Sequence, residues 1–130
     1  MPDLSMPPRV LVVDDGTLIR LYYRETLEAA GFEVAEAING IEALEKVLSE
    51  RFDLVIVDIN MPKMDGMSFL RSLRSQEGHA GAIPALVISS EAGERDAVAA
   101  RAAGANFYLV KPITPETLAL HVAVLTGVPA

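Results

Sequence analysis

The sequence predicts an α/β domain built as a doubly wound parallel sheet, and three observations predict it. Short, continuous apolar runs rich in β-branched residues recur along the chain, at 10–13, 54–57 and 85–88. Such runs suit strands covered on both faces, as in parallel sheets. Between the runs lie stretches of helical period, and strand–helix alternation calls for parallel strands joined by right-handed crossovers. The length, 130 residues, is enough for one hydrophobic core and too short for two.

Each element follows in order. Residues 1–8 carry three prolines and no periodic pattern, and are expected to be a flexible lead-in to a domain spanning 9–127. Residues 9–13 form the first strand, ended by Asp14-Asp15-Gly16. Residues 17–30 read as a helix, with Ile19, Tyr22, Tyr23 and Ala30 near a 3.6 period and Gly31 just past its end. A second strand covers 32–37. Asn39 caps a second helix that runs to about Glu50. The third strand, 54–57, ends in Asp58. A loop through Asp65-Gly66 leads to a helix over 67–75, and 76–83 reads as a Gly-containing loop. The fourth strand, 85–88, ends in Ser89-Ser90. An Ala-rich helix over 94–103 closes on Gly104. The fifth strand, 107–110, ends in Lys111-Pro112. Thr114 then caps a last helix that starts with Pro115, the position proline favours. Residues 128–130 are read as a tail.

Composition narrows the function. Hydrophobic residues are 51% and charged residues 22%, an ordinary globular balance. The net charge of −7 argues against unaided binding to nucleic acid or to anionic membranes. With no cysteine, disulfides, thiolate metal sites and cysteine nucleophiles are excluded. No signal peptide or membrane-length apolar run is visible, so the expected compartment is the cytoplasm. His79 falls in a loop and His121 in the last helix, and both are read as structural or surface residues.

In open α/β sheets, ligands bind beyond the carboxyl ends of the strands, where strand order reverses. Four of the five predicted strands end there in a polar or charged residue: Asp14 and Asp15, then Asp58, Ser89 and Lys111. The second strand ends in Ala37 and offers none. If the order is 2-1-3-4-5, the three carboxylates meet at the switch point. They then need a counter-charge, and a hard divalent cation such as Mg²⁺ is the natural one. A carboxylate nucleophile beside a cation, a hydroxyl and an ammonium makes a site for phosphoryl transfer.

These features resemble the receiver domain of two-component response regulators, especially the single-domain chemotaxis type. The resemblance is carried by Val12-Val13-Asp14-Asp15; by Asp58-Ile59-Asn60-Met61-Pro62-Lys63-Met64-Asp65-Gly66; by Val87-Ile88-Ser89-Ser90-Glu91; and by residues 103–112, ending in Lys111-Pro112. It implies the flavodoxin-like receiver fold, with strand order 2-1-3-4-5 and five helices. It implies that Asp58 accepts a phosphoryl group from a phosphohistidine on a sensor histidine kinase or histidine phosphotransfer protein. Mg²⁺ would be held by Asp15 and Asp58 directly, by Asp14 largely through water, and by the backbone carbonyl of Asn60. Ser89 and Lys111 would contact the phosphoryl oxygens, and Tyr108 would be an aromatic switch coupled to Ser89. Asn60 and Glu91 would tune self-dephosphorylation, and the Lys111–Pro112 peptide would be cis. Such a chain is a phosphoacceptor signalling protein, an enzyme only toward its own phosphorylation and dephosphorylation. Three positions depart from the commonest pattern: Ser89 stands for threonine, Ser90 for alanine, and Gly16 for a bulkier residue.

Phosphorylation adds about −1.5 to −2 charges, and the family reads this out on the surface of helix 4, strand 5 and helix 5. The last helix is apolar nearly all round, so it is expected either to be covered on every side or to offer part of itself to a partner or a homodimer. Leu18 and Leu21, off the buried face of the first helix, are expected to help dock the phosphohistidine partner. The readings set against a stand-alone receiver are three. One is a receiver fragment of a longer regulator. Another is a Mg²⁺-dependent aspartyl-phosphate hydrolase, disfavoured because Asn60 stands where a second aspartate is usual. The last is a nucleotide or flavin binder, disfavoured by an acidic first loop.

Overall fold

A computed structural model describes residues 7–59, 64–90 and 93–127. Among these residues five strands and six helices follow one another: β1 (Arg9–Val13), α1 (Thr17–Ala29), β2 (Glu33–Ala37), α2 (Gly40–Ser49), β3 (Leu54–Val57), α3 (Gly66–Arg74), a single helical turn (His79–Ala82), β4 (Ala85–Ser89), α4 (Glu94–Ala103), β5 (Phe107–Val110) and α5 (Pro115–Thr126). The sheet is parallel throughout, in the order β2-β1-β3-β4-β5. This is the doubly wound class and the strand order the sequence reading anticipates.

Side-chain alternation along the strands divides the core in two. Leu11, Val13, Val55, Val57, Ala85 and Val87 face Ala43 and Val47 of α2, Phe69, Leu70 and Leu73 of α3, and Ala100 and Ala103 of α4. Val10, Val12, Leu54, Ile56, Leu86 and Ile88 face Tyr23 and Leu27 of α1 and Leu118 and Val122 of α5. β1, β3 and β4 are buried on both sides, which is why their sequences read as unbroken apolar runs.

Helix ends follow local chemistry. Asn39 accepts a hydrogen bond from the Glu42 N–H, Asp65 from the Ser68 N–H and Thr114 from the Thr117 N–H, each satisfying a first-turn donor. Gly31 follows α1 at φ 96°, as a C′ glycine can. Asp65 as cap starts α3 at Gly66, one residue before the expected Met67. The helical turn His79–Ala82 lies in the stretch read as loop; four residues are too few to show a period. The loop reading of His79 is corrected accordingly: it sits on that turn, with Nε2 2.7 Å from the Phe52 carbonyl. His121 Nδ1 lies 2.8 Å from the Thr117 carbonyl, and its ring packs against Phe107. Both histidines are structural, as expected.

The terminal helix is not covered all round. Leu118, Val122 and Ala123 are buried, whereas Leu120 and Val124 are exposed, Val124 at 68%. α5 packs against α1 and β3, and its outer side faces solvent among the described residues. No helix among the described residues is long and apolar enough to cross a membrane.

Candidate functional site

The parallel register sets the carboxyl ends of the strands level. Val13 of β1 pairs with Ala37 of β2 and Val57 of β3, so the residues after Val13 and Val57 emerge side by side. The ladder continues one step beyond the strands. The Asp14 N–H donates to the Ala37 carbonyl at 3.1 Å and the Asp58 N–H to the Val13 carbonyl at 3.0 Å. As a result Asp14, Asp15 and Asp58 each bring a carboxylate oxygen within 4.8 Å of the others. Asp14 is buried, Asp58 half-buried and Asp15 exposed.

Asp14 is held at both oxygens. Its Oδ1 accepts the Gly16 N–H at 2.8 Å, and its Oδ2 lies 3.5 Å from the Lys111 ammonium. A side chain at position 16 would have its Cβ 3.0 Å from Ile19 Cγ2 and 3.3 Å from Asp14 Oδ1, so the small residue suits this tight turn. Lys111 follows β5, and its peptide to Pro112 is cis, as the resemblance implies. The Lys111 N–H donates to the Ser89 carbonyl at 2.8 Å, which ties the ends of β5 and β4 together. Ser89 is fully buried, and Tyr108 is partly buried against the α2–α3–α4 side of the core. Asn60 and Glu91, named for the metal carbonyl and for dephosphorylation, lie outside the described residues.

Three further features bear on the site. A Cβ on Gly66 would sit 2.4 Å from the Asp58 carbonyl oxygen and 2.8 Å from Ile59 Cα, so only glycine lets the start of α3 pack under the acidic residue. Tyr23 is buried on α1; burial pushes its phenol pKa up, and the charges of Asp14 and Asp58 push it further. A cleft of about 330 Å³, lined by Ile19, Tyr22, Tyr23, Lys111, Pro112 and Ile113, opens beside the Lys111 stem. The Tyr22 hydroxyl donates to the Ile113 carbonyl at 2.6 Å across it.

Sequence reasoning missed Arg20 and Glu36. Arg20 Nε donates to Glu36 Oε1 at 2.9 Å, and Arg20 Nη1 donates to the Asp14 carbonyl at 2.8 Å. Arg24 Nε donates to Glu36 Oε2 at 2.7 Å. Arg20 and Arg24 stand one helical turn apart on α1, which was the only available signal, and it names no partner.

The donor set is all oxygen: three carboxylates, with no thiolate or imidazole among them. That chemistry fits a hard divalent cation of the Mg²⁺ kind, which takes few protein ligands and keeps water. The adjoining Lys111 ammonium fits the oxygens of a phosphoryl group.

The comparisons with known proteins agree with this geometry. The chain matches the response regulator receiver domain family over residues 10–123. It is 41% identical over 118 residues to the transcriptional regulatory protein PrrA of Mycobacterium bovis, covering 91% of this chain and 49% of that protein. The same figures hold for PrrA of Mycobacterium tuberculosis. The chain thus spans about half the length of the curated relatives it matches. Among solved structures, the chemotaxis response regulator CheY4 of Vibrio cholerae is 38% identical, with a TM-score of 0.86 over 92% of this chain and 99% of that one. The receiver domain of Francisella response regulator 1452 is 29% identical, with a TM-score of 0.86 over 92% and 97%. A parallel sheet in the order 2-1-3-4-5, an acidic triad at its switch point and a family match over most of the length lead to one conclusion: this chain belongs to the response regulator receiver domain family.

Proposed function

We propose that the chain accepts a phosphoryl group on Asp58 from a phosphohistidine, in a Mg²⁺-dependent reaction, and signals through the change of surface that follows. The observation that carries this reading is the gathering of Asp14, Asp15 and Asp58 within 4.8 Å, with Lys111 on Asp14.

A carboxylate oxygen of Asp58 attacks phosphorus. The O–P bond forms as the P–N bond to the donor imidazole breaks, and the imidazole leaves and takes up a proton from solvent. Asp14, Asp15, Asp58 and the backbone carbonyl of Asn60 are the groups assigned to hold Mg²⁺, which when bound would neutralise charge on the transferred group. Lys111 supplies a second positive charge, and Ser89 a hydrogen bond to a phosphoryl oxygen. Asn60 and Glu91 set the approach of the water that later hydrolyses the acyl phosphate.

Ser89 and Tyr108 are assigned as the switch, because they end or lie within neighbouring strands β4 and β5 beneath the α4–β5–α5 surface. That surface is expected to take a downstream protein or a second copy of the chain through α5; sedimentation of the phosphorylated protein separates the two. The donor is a sensor histidine kinase or a histidine phosphotransfer protein. A second reading has one observation in its favour, the half-length match to PrrA. In it the same phosphoacceptor acts within a longer regulator.

The test is incubation with acetyl phosphate and Mg²⁺ followed by intact mass. An acid-labile gain of about 80 Da is expected, absent without Mg²⁺ and absent in Asp58→Asn. Labelling that persists in Asp58→Asn overturns the assignment of the nucleophile.

A further inference from the structure

We propose that Arg20 is a positioning residue for the acidic pocket, holding the Asp14–Gly16 turn in its cation-binding shape by bridging Glu36 of β2 to the backbone carbonyl of Asp14. The inference rests on the metal reading above and deepens it.

The end of β2 contributes no side chain to the rim, yet it is tied to the pocket twice. The Ala37 carbonyl accepts the Asp14 N–H at 3.1 Å. One residue earlier, Glu36 anchors the Arg20 guanidinium at 2.9 Å, and the same guanidinium reaches the Asp14 carbonyl at 2.8 Å. The Arg20 side chain is only 12% exposed, so these are sheltered, charge-assisted bonds with little water to replace them. Arg20 is also anchored through its backbone, its N–H donating to the Gly16 carbonyl at 3.1 Å.

The segment from Asp14 to Arg20 is therefore a closed loop, fixed at both ends by one residue. Its contents are what a cation needs. Asp14 is aimed by the Gly16 N–H at 2.8 Å, and Asp15 beside it is exposed. Mutual repulsion of three carboxylates within 4.8 Å works against a closed turn, and Lys111 offsets only part of it. A guanidinium locked onto the carbonyl between strand and turn opposes that opening. A site preorganised in this way binds more tightly, because less ordering is left to binding.

Arg24 provides the control. It pairs with the same Glu36, at 2.7 Å, and with Glu28 at 3.6 Å, and none of its hydrogen bonds goes to Asp14. Arg20→Gln and Arg24→Gln each remove an ion pair to Glu36, but only Arg20→Gln frees the Asp14 carbonyl.

The experiment measures three quantities on wild type and both variants: Mg²⁺ affinity by calorimetry, hydrogen exchange of the Gly16 amide in metal-free protein, and thermal stability. Arg20→Gln is expected to weaken Mg²⁺ binding by about tenfold and to speed Gly16 exchange several-fold. Arg24→Gln should stay within twofold of wild type on both, with a comparable fall in thermal stability. Unchanged affinity in Arg20→Gln, or equal losses in the two variants, overturns the positioning role while the metal site stands. A wild-type chain that takes up no Mg²⁺ overturns the metal reading, and the positioning role with it.

Discussion

Lys111 already places a positive charge on one oxygen of the acidic cluster, and this sets opposite signs on two measurable quantities. The Lys111 ammonium lies 3.5 Å from Asp14 Oδ2, where it offsets part of the negative charge that a cation would offset. Removing it in Lys111→Ala leaves the acidic cluster more negative, so Mg²⁺ should bind a few-fold more tightly. In the proposed transfer the same change removes a positive charge from beside the phosphoryl group, and loss of one such group costs on the order of 10²–10³ in rate. Phosphorylation by acetyl phosphate should therefore slow by about that factor at saturating Mg²⁺. Calorimetry and a mass-resolved time course test the two signs separately; slower labelling with weaker Mg²⁺ binding would mean that Lys111 merely supports the fold. Gly66 invites a second substitution. A Cβ there meets the Asp58 carbonyl at 2.4 Å, and that atom is backbone that cannot turn aside. Gly66→Ala should cost about 1–3 kcal/mol in chemical denaturation and should also slow labelling, because the strand end that moves is the one carrying Asp58. The residues of the rim were legible in the sequence because each follows an apolar run directly. Gly66 was visible only as part of a loop, since nothing in a sequence tells which backbone a missing Cβ makes room for.

At the scale of elements, α1 and β2 are joined by charge as well as by packing. Burial opposes the ionisation of Glu36, but hydrogen bonds from Arg24 and Arg20 outweigh it and hold the carboxyl below its ordinary value of 4.5. Folding therefore favours the ionised form. The contribution is whole above the ordinary carboxyl range and drains away as pH falls through the lower, folded value. Glu36→Gln should destabilise the protein near neutrality and flatten the acid limb of its stability, so that the two curves converge once pH falls below the lowered, folded value. Urea titrations across that range check it; curves that stay parallel would show that Glu36 does not couple to protons. The tie was illegible for a definite reason. In β2 the residue reads as one polar position of a short mixed strand, and its partners lie 16 and 12 positions away on a helix whose rotation the sequence leaves open. The five long helices were legible from period and caps, Asn39 and Thr114 among them. The turn at His79 was not, being shorter than two turns of any period. α5 shows the same limit from the other side: its apolar residues mark a helix that can be covered all round, and only the arrangement of its neighbours shows that Leu120 and Val124 stay outside.

Taken whole, the molecule opens its acidic rim beside the outer face of α1, and the proposed donor is expected to approach there. On the α1 side, Leu18 stands 82% exposed one turn from the acidic residues, with Leu21 partly exposed beside it. The cleft lined by Ile19, Tyr22 and Ile113 lies along the same helix and leads to Lys111. An isolated exposed leucine is ordinary on a protein surface. One in the first turn of the helix that follows the acidic residues and lines an apolar cleft is expected to act as a contact for a helical partner that presents a phosphohistidine. This assignment separates two kinds of donor. Acetyl phosphate is small and needs only the pocket, whereas on the proposed reading a phosphohistidine protein docks before its phosphorus reaches Asp58. Leu18→Ala should leave acetyl phosphate labelling within twofold of wild type, because the side chain is largely exposed and not part of the acidic cluster. Transfer from the purified cognate phosphohistidine protein should slow by about tenfold at subsaturating concentration, the cost of truncating one central apolar contact. Leu21→Ala, on the less exposed neighbour, should show a smaller loss in the same direction. Rapid-quench transfer against a concentration series of the donor reads the effect as a weaker apparent affinity with an unchanged limiting rate. Equal transfer rates for both variants and wild type would place the docking surface elsewhere; a lower limiting rate at saturation would mean that Leu18 shapes the pocket and not the encounter.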